Sequence, residues 1–398
     1  MKVKAPPPEP RAATAGLVKG SSRIEAIDLA RGWASLIMIQ GHAFHAWTNP
    51  AAKATRAYGW TRLLGTLPLP AFLLLAGMSL LWRMRSAERK GEDLDHVRRL
   101  VCRRGLSVVA WGYALSLLSA WMDGYESLWQ VLRADVLHVI GLSLALLGAL
   151  GISARGGRNR LPKVAAWAAL LTLMLCPVFS AWLRGRPAIY PWALLVRLFV
   201  EWGDPRQMPL IPLLAWCAIG VLLGEAMWRR RAREAGRDLD VLRIGVDRKA
   251  LVCVLMLSLV GAALAEFGTK ALRSYFGGPL TRAHPAVVFN AIELACRATI
   301  LASVAALSAW ILPQRLRSGL RRFGRHSLLA YALHIPLCYG RIAAPWRGKL
   351  TMLEAACGVV LLVSVCAALI VAREALPERN RGSDRSRSAE KTPPPRAR

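Results

Sequence analysis

The run "AIDLARGWASLIMIQGHAFHAW" sets Asp28, Arg31, His42 and His45 among side chains that are otherwise almost all apolar. An imidazole exchanges protons near neutral pH, so His42 is a candidate general base or nucleophile. A guanidinium holds phosphate or carboxylate through paired N–H donors, which makes Arg31 a candidate anion holder. In a helix, eleven residues make three turns plus about 20°, so Arg31 and His42 project from one face, roughly 16 Å apart along the axis. Asp28 stands at i,i+3 from Arg31, spaced for a salt bridge, and His45 lies one further turn beyond His42. The helix therefore carries a polar stripe, with acid and base at one end and imidazole toward the other.

Apolar surroundings of this length point to a membrane. The chain has 398 residues, 55% of them hydrophobic, with 15 tryptophans. Runs such as "VAAWAALLTLMLCPVFSAWL" and "LEAACGVVLLVSVCAALIVA" match the thickness of a hydrocarbon core at 1.5 Å per residue. The sequence predicts an all-α, polytopic transmembrane bundle of about ten spans (nine to eleven): 27–47, 63–82, 105–122, 135–152, 164–182, 207–228, 250–266, 286–311, 326–345 and 351–372. The segment 183–206 reads as an outer loop, a re-entrant pair or an extra span. Net charge is +30, and its distribution decides its meaning. One side, with both termini, collects 38 Lys and Arg against 14 on the other. By the positive-inside rule that side is cytoplasmic, so the protein is expected in the plasma (inner) membrane, with no nucleic-acid partner. Residues 1–24 and 375–398 read as basic, disordered cytoplasmic tails around one transmembrane domain, 25–374. The first span is expected to stay uncleaved. Eight scattered cysteines read as small hydrophobes, and no metal site is expected. There is no Walker or dinucleotide-binding motif.

An ionisable side chain in hydrocarbon is costly, so each one is a candidate for function. Beyond the first span these are Glu293 and Arg297, an i,i+4 pair; His334, two residues before Pro336; and Asp135 with His138 at the start of a span. Each has a plainer reading. His45 and His138 fit an interfacial position, Glu293–Arg297 a structural bridge, and His334 a hydrogen bond to a carbonyl freed by Pro336. Pro68 and Pro70, with Gly77 further along the same span, interrupt a helix ladder where backbone can line a cavity.

Taken together, these residues resemble a known pattern. "AIDLARGWASLIMIQGH" is similar to the first-span signature of the large transmembrane acyltransferase families, in which arginine and histidine are separated by ten residues. "LPAFLLLAGMSL", "LRADVLHVIGLSLALLG" and "GRHSLLAYALHIPL" resemble, in order and position, bacterial proteins carrying the catalytic domain of heparan-alpha-glucosaminide N-acetyltransferase. "FLLLAG" departs from that family's aromatic-rich second-span motif. The resemblance covers most of residues 23 to about 345. It implies transfer of an acyl group, usually acetyl from acetyl-CoA or another acyl-CoA, to a sugar amine or hydroxyl. His42 is then the catalytic histidine, with Asp28 supporting it. Arg31, Arg103, Arg104 and Arg325 are candidate holders of the coenzyme phosphates. His45, Asp135, His138, Glu293, Arg297 and His334 are candidates on the acceptor side. The expected partners are membrane lipid and a carbohydrate or glycolipid acceptor, with a homo-oligomer left open. A transporter or flippase, or a scaffold glued by polar side chains, are the competing classes.

Overall fold

The computed structural model describes residues 25–123, 131–153, 157, 160–184, 208–234, 248–276 and 286–375. Residues 1–24, the C-terminal tail after Ala375, and the 183–206 segment beyond its first two residues and before Met208, lie outside them. The apolar runs fold as helices: α1 (Glu25–Trp47), α2 (Pro50–Lys53), α3 (Arg56–Gly65), α4 (Pro68–Arg89), α5 (Leu94–Asp123), α6 (Val136–Gly151), α7 (Arg160–Arg184), α8 (Leu210–Glu234), α9 (Arg248–Phe276), α10 (Ala286–Ile311), α11 (Gln314–Arg325), α12 (Ser327–Tyr339) and α13 (Met352–Ala375). A helix lies at each position where a span is expected. By length and apolarity, six helical stretches among the described residues can cross a membrane: 56–89, 94–122, 210–230, 251–268, 292–311 and 352–375. α6 and α12 are apolar but shorter.

Three differences from the sequence reading have physical causes. α4 starts on Pro68, whose missing N–H is harmless in a first turn, and Pro70 falls within that same turn. It runs on to Arg89, past the expected end at 82, because Arg85 is neutralised inside the protein. Arg85 is 2% exposed, with Glu225 of α8 at 2.8 Å and Glu88 at 2.9 Å. The loop 48–62 holds α2 and α3, started by Asn49 and Thr55, whose side chains accept from Ala52 N and Tyr58 N. The loop 312–325 is the helix α11, with Leu320 and Phe323 buried and most of its arginines outward or ion-paired.

Lipid is as apolar as leucine, so helices in a membrane associate by close packing. A Cβ on Gly77 of α4 would overlap the Cys217 carbonyl of α8, and one on Gly220 of α8 the Leu74 carbonyl of α4. This seam joins the largest core cluster, drawn from α4 to α8. A second cluster is built from α1, α11, α12 and α13. α1 also packs on α4 and α10, so it stands where the two meet.

Both ends of α1 are clamped. At the Asp28 end, Gly324 of α11 lies on the Asp28 carbonyl and Gly32 on that of Leu320, where any Cβ would collide. Glu25 pairs with Arg321 at 3.0 Å and Arg317 at 3.6 Å. At the other end, carbonyls in the last turn of a helix lack partners within it. The segment after α12 supplies them: Gly348 N donates to Ala46 O, and Leu350 N to Trp47 O, both at 2.9 Å. Gly348 has φ 67, a left-handed value that favours glycine. Trp47 Nε1 donates to Cys338 O at 3.0 Å, tying α1 to α12. These bonds fix the register of α1 against α12.

Candidate active site

His42 leaves α1 in the half clamped against α12. Its ring centroid lies 5.1 Å from that of His334 and 5.8 Å from that of Tyr339, both in edge-on contact. His42 Nδ1 is buried and has no hydrogen-bond partner among the described residues. His334 is fully buried; its Nδ1 lies 2.9 Å from the Ala330 carbonyl. A carbonyl only accepts, so Nδ1 carries the proton, and Nε2 keeps its lone pair. That Nε2 is also buried, with no hydrogen-bond partner among the described residues. The ring bonds one turn back, at Ala330. Pro336 frees a different carbonyl, that of Ala332.

Tyrosines extend the cluster. Tyr331 packs edge-on against His334 at 5.4 Å, and its hydroxyl faces Asp135. Tyr339 OH is 3.4 Å from His45 Nδ1, with His45 itself exposed. Asp135 caps α6: its Oδ1 accepts from Leu137 N at 2.9 Å and His138 N at 3.2 Å. His138 Nδ1 closes the cap at 2.7 Å from the same oxygen. The interfacial reading of His138 is corrected here. The ring is fully buried, wedged over Gly112 of α5 and 4.1 Å from the Tyr113 ring.

At the other end of the stripe, Arg31 Nη2 donates to Ser79 Oγ at 2.7 Å and to Leu75 O at 3.4 Å, both on α4. The Asp28 carboxylate reaches across to Arg325 of α11 at 3.5 Å. Between the two ends Ser35 and Met38 occupy the same face and are buried.

Of the residues singled out from sequence, His42, His45 and His334 come together as one cluster, and Asp135 joins it through Tyr331. Asp28, Arg31 and Arg325 form a second group three turns away. Glu293 and Arg297 pair with each other on α10, with Glu266 of α9 in electrostatic reach of Arg297. Arg103 and Arg104 are exposed on α5, beside Gly105, whose face packs on α6. The sequence reading missed Tyr331, Tyr339 and Ser79. Tyr331 and His334 are i,i+3 in "YALH", a spacing that puts both on one helix face and would have flagged the first. It also missed Arg85 and Glu225.

Residues 23–246, more than half of the chain, match the family model described as "Heparan-alpha-glucosaminide N-acetyltransferase, catalytic". The chain belongs to this family. Its members are transmembrane acetyltransferases. A comparison with curated proteins gives no match. The matched residues hold α1 to α8, with Asp28, Arg31, His42, Asp135 and His138. Tyr331, His334 and Tyr339 come from beyond them, so the cluster is assembled from both sides of that boundary.

Proposed function

We propose that this protein moves an acetyl group from cytoplasmic acetyl-CoA to a sugar amine or hydroxyl on a cell-envelope glycan or glycolipid, with His42 at the chemical step. One observation carries the reading: the first helix of the family match sets a half-buried imidazole against His334 and Tyr339, with a buried ring nitrogen that no described residue satisfies. Buried polar atoms are nearly always bonded, so an imidazole with an open buried nitrogen calls for an explanation, and a catalytic role is one.

In the direct route, a bare nitrogen of His42 takes the acceptor proton as the acceptor attacks the thioester carbonyl. The new C–O or C–N bond forms, the C–S bond breaks, and the imidazolium returns its proton to the departing thiolate. In the covalent route the same nitrogen carries the acetyl group between two such steps. Arg31 and Arg325 lie three turns off, a separation comparable to the pantetheine arm, and are suited to the coenzyme's anionic end. Asp28 orients Arg325. In this arrangement the Asp28 end of α1 faces the cytoplasm and the His45 end faces outward, in the plasma membrane. Because Ser35 and Met38 fill the stripe, the thioester reaches His42 by parting α1 from α4.

The test uses protein reconstituted in lipid vesicles, labelled acetyl-CoA, and an oligosaccharide ending in α-glucosamine as acceptor. Proper positioning of a general base contributes about 10²–10⁴-fold. His42→Ala is therefore expected to cut transfer at least a hundredfold while the protein still melts as the wild type does. Undiminished transfer by a folded His42→Ala protein removes His42 from the chemistry.

A further inference from the structure

Two buried nitrogens without a hydrogen-bond partner among the described residues, His42 Nδ1 and His334 Nε2, belong to rings in edge-on contact at 5.1 Å between centroids. At that centroid separation two ring nitrogens that point at each other come within hydrogen-bonding distance. Their chemistry is complementary. His334 is held as the Nδ1–H tautomer by Ala330 O, so its Nε2 can only accept. His42 Nδ1 has no acceptor among the described residues, and an imidazole needs one there to fix which nitrogen stays bare.

We infer that His334 is the positioning residue of His42: its Nε2 accepts a hydrogen bond from His42 Nδ1–H, leaving His42 Nε2 bare for the reaction. The inference rests on the reading of His42 as the reacting base or carrier. The proton balance is complete. The acceptor's proton goes to His42 Nε2, Nδ1–H stays bonded to His334 Nε2, and the Nε2 proton later leaves on the thiolate. His334 takes no proton permanently. It steadies the imidazolium while two N–H groups are present, a role that a carboxylate fills elsewhere. Groups near His42 that titrate or carry charge are His45 on α1 and His334 and Tyr339 on α12. Tyr58 of α3 and Arg347 lie beyond, beside Tyr339.

Two variants separate positioning from packing. His334→Met fills the space and removes the acceptor; His334→Gln restores an acceptor near the place of Nε2. In the vesicle assay His334→Met is expected to lower kcat ten- to a hundredfold, with KM for acetyl-CoA within about threefold. Its acid limb in the pH–rate profile should move to lower pH, since His42 loses the partner of its cationic form. His334→Gln is expected to return kcat to within tenfold of wild type. A folded His334→Met protein with wild-type kcat and acid limb overturns the inference. If that variant does not fold, ring-¹⁵N spectra of histidine-labelled wild-type protein decide: Nδ1–H with bare Nε2 at His334 supports it, and the opposite tautomer overturns it. Absence of transfer by the wild type would instead strike the acetyltransferase reading itself.

Discussion

Arg31 is held by one hydroxyl and one carbonyl of α4, and Ser79 Oγ in turn donates to Leu75 O at 2.7 Å. These two bonds fix where the guanidinium stands at the Asp28 end of α1, and a guanidinium so placed presents paired N–H donors to an anion. A hydrogen bond to a charged group contributes about 1.5–3 kcal/mol, which corresponds to roughly ten- to a hundredfold in affinity. Arg31→Gln is accordingly expected to raise KM for acetyl-CoA about tenfold and leave kcat within a few-fold, measured in the same vesicles. A purely structural arginine would instead lower the melting temperature with KM unchanged. The Arg31–His42 spacing was legible in the sequence because a helix period alone sets it. The partners of each were not. Ser79 and His334 lie 48 and 292 positions away from them, and only the packing of α4 and α12 on α1 brings them in.

At the level of helices, apolar runs announced themselves, and the ends did not. Hydropathy stops α4 near Trp82, yet the helix carries on through a buried Arg85 because Glu225 meets it from α8. Likewise "QRLRSGLRRFGR" reads as a basic loop by charge, although Leu316, Leu320 and Phe323 recur at helix spacing. Arg85 and Glu225 give the sharpest test at this scale. Removing one partner of a buried pair costs about 3–5 kcal/mol, whereas replacing both with apolar groups is often neutral. Arg229, mostly exposed, also pairs with Glu225 and can turn to water when that partner goes. Arg85→Met and Glu225→Leu are each expected to lower the melting temperature in detergent markedly. The double variant should recover much of the loss. Equal and additive losses would mean that the two act independently.

The ion pairs of α11 set the layout of the whole molecule. Glu25, at the start of α1, and Glu374, at the end of α13, both pair with α11, at 3.0 Å to Arg321 and 3.4 Å to Arg322. The first described helix therefore begins, and the last one ends, on one face of the bundle. On the sequence reading the side that holds both termini also collects the larger share of Lys and Arg, and moving such loops across a membrane is disfavoured. The expected arrangement puts both tails in the cytoplasm, with the loop after α1 outside. Single cysteines in a cysteine-free background test this: Ala13→Cys and Ser388→Cys in the tails, Ala57→Cys on the exposed side of α3. In intact cells a membrane-impermeant maleimide should label position 57 alone, with 13 and 388 labelled only after lysis. Labelling of all three in intact cells would break the link between the α11 clamp and the charge asymmetry. The reverse pattern would turn the Arg31 end outward, and a coenzyme confined to the cytoplasm could then no longer meet it.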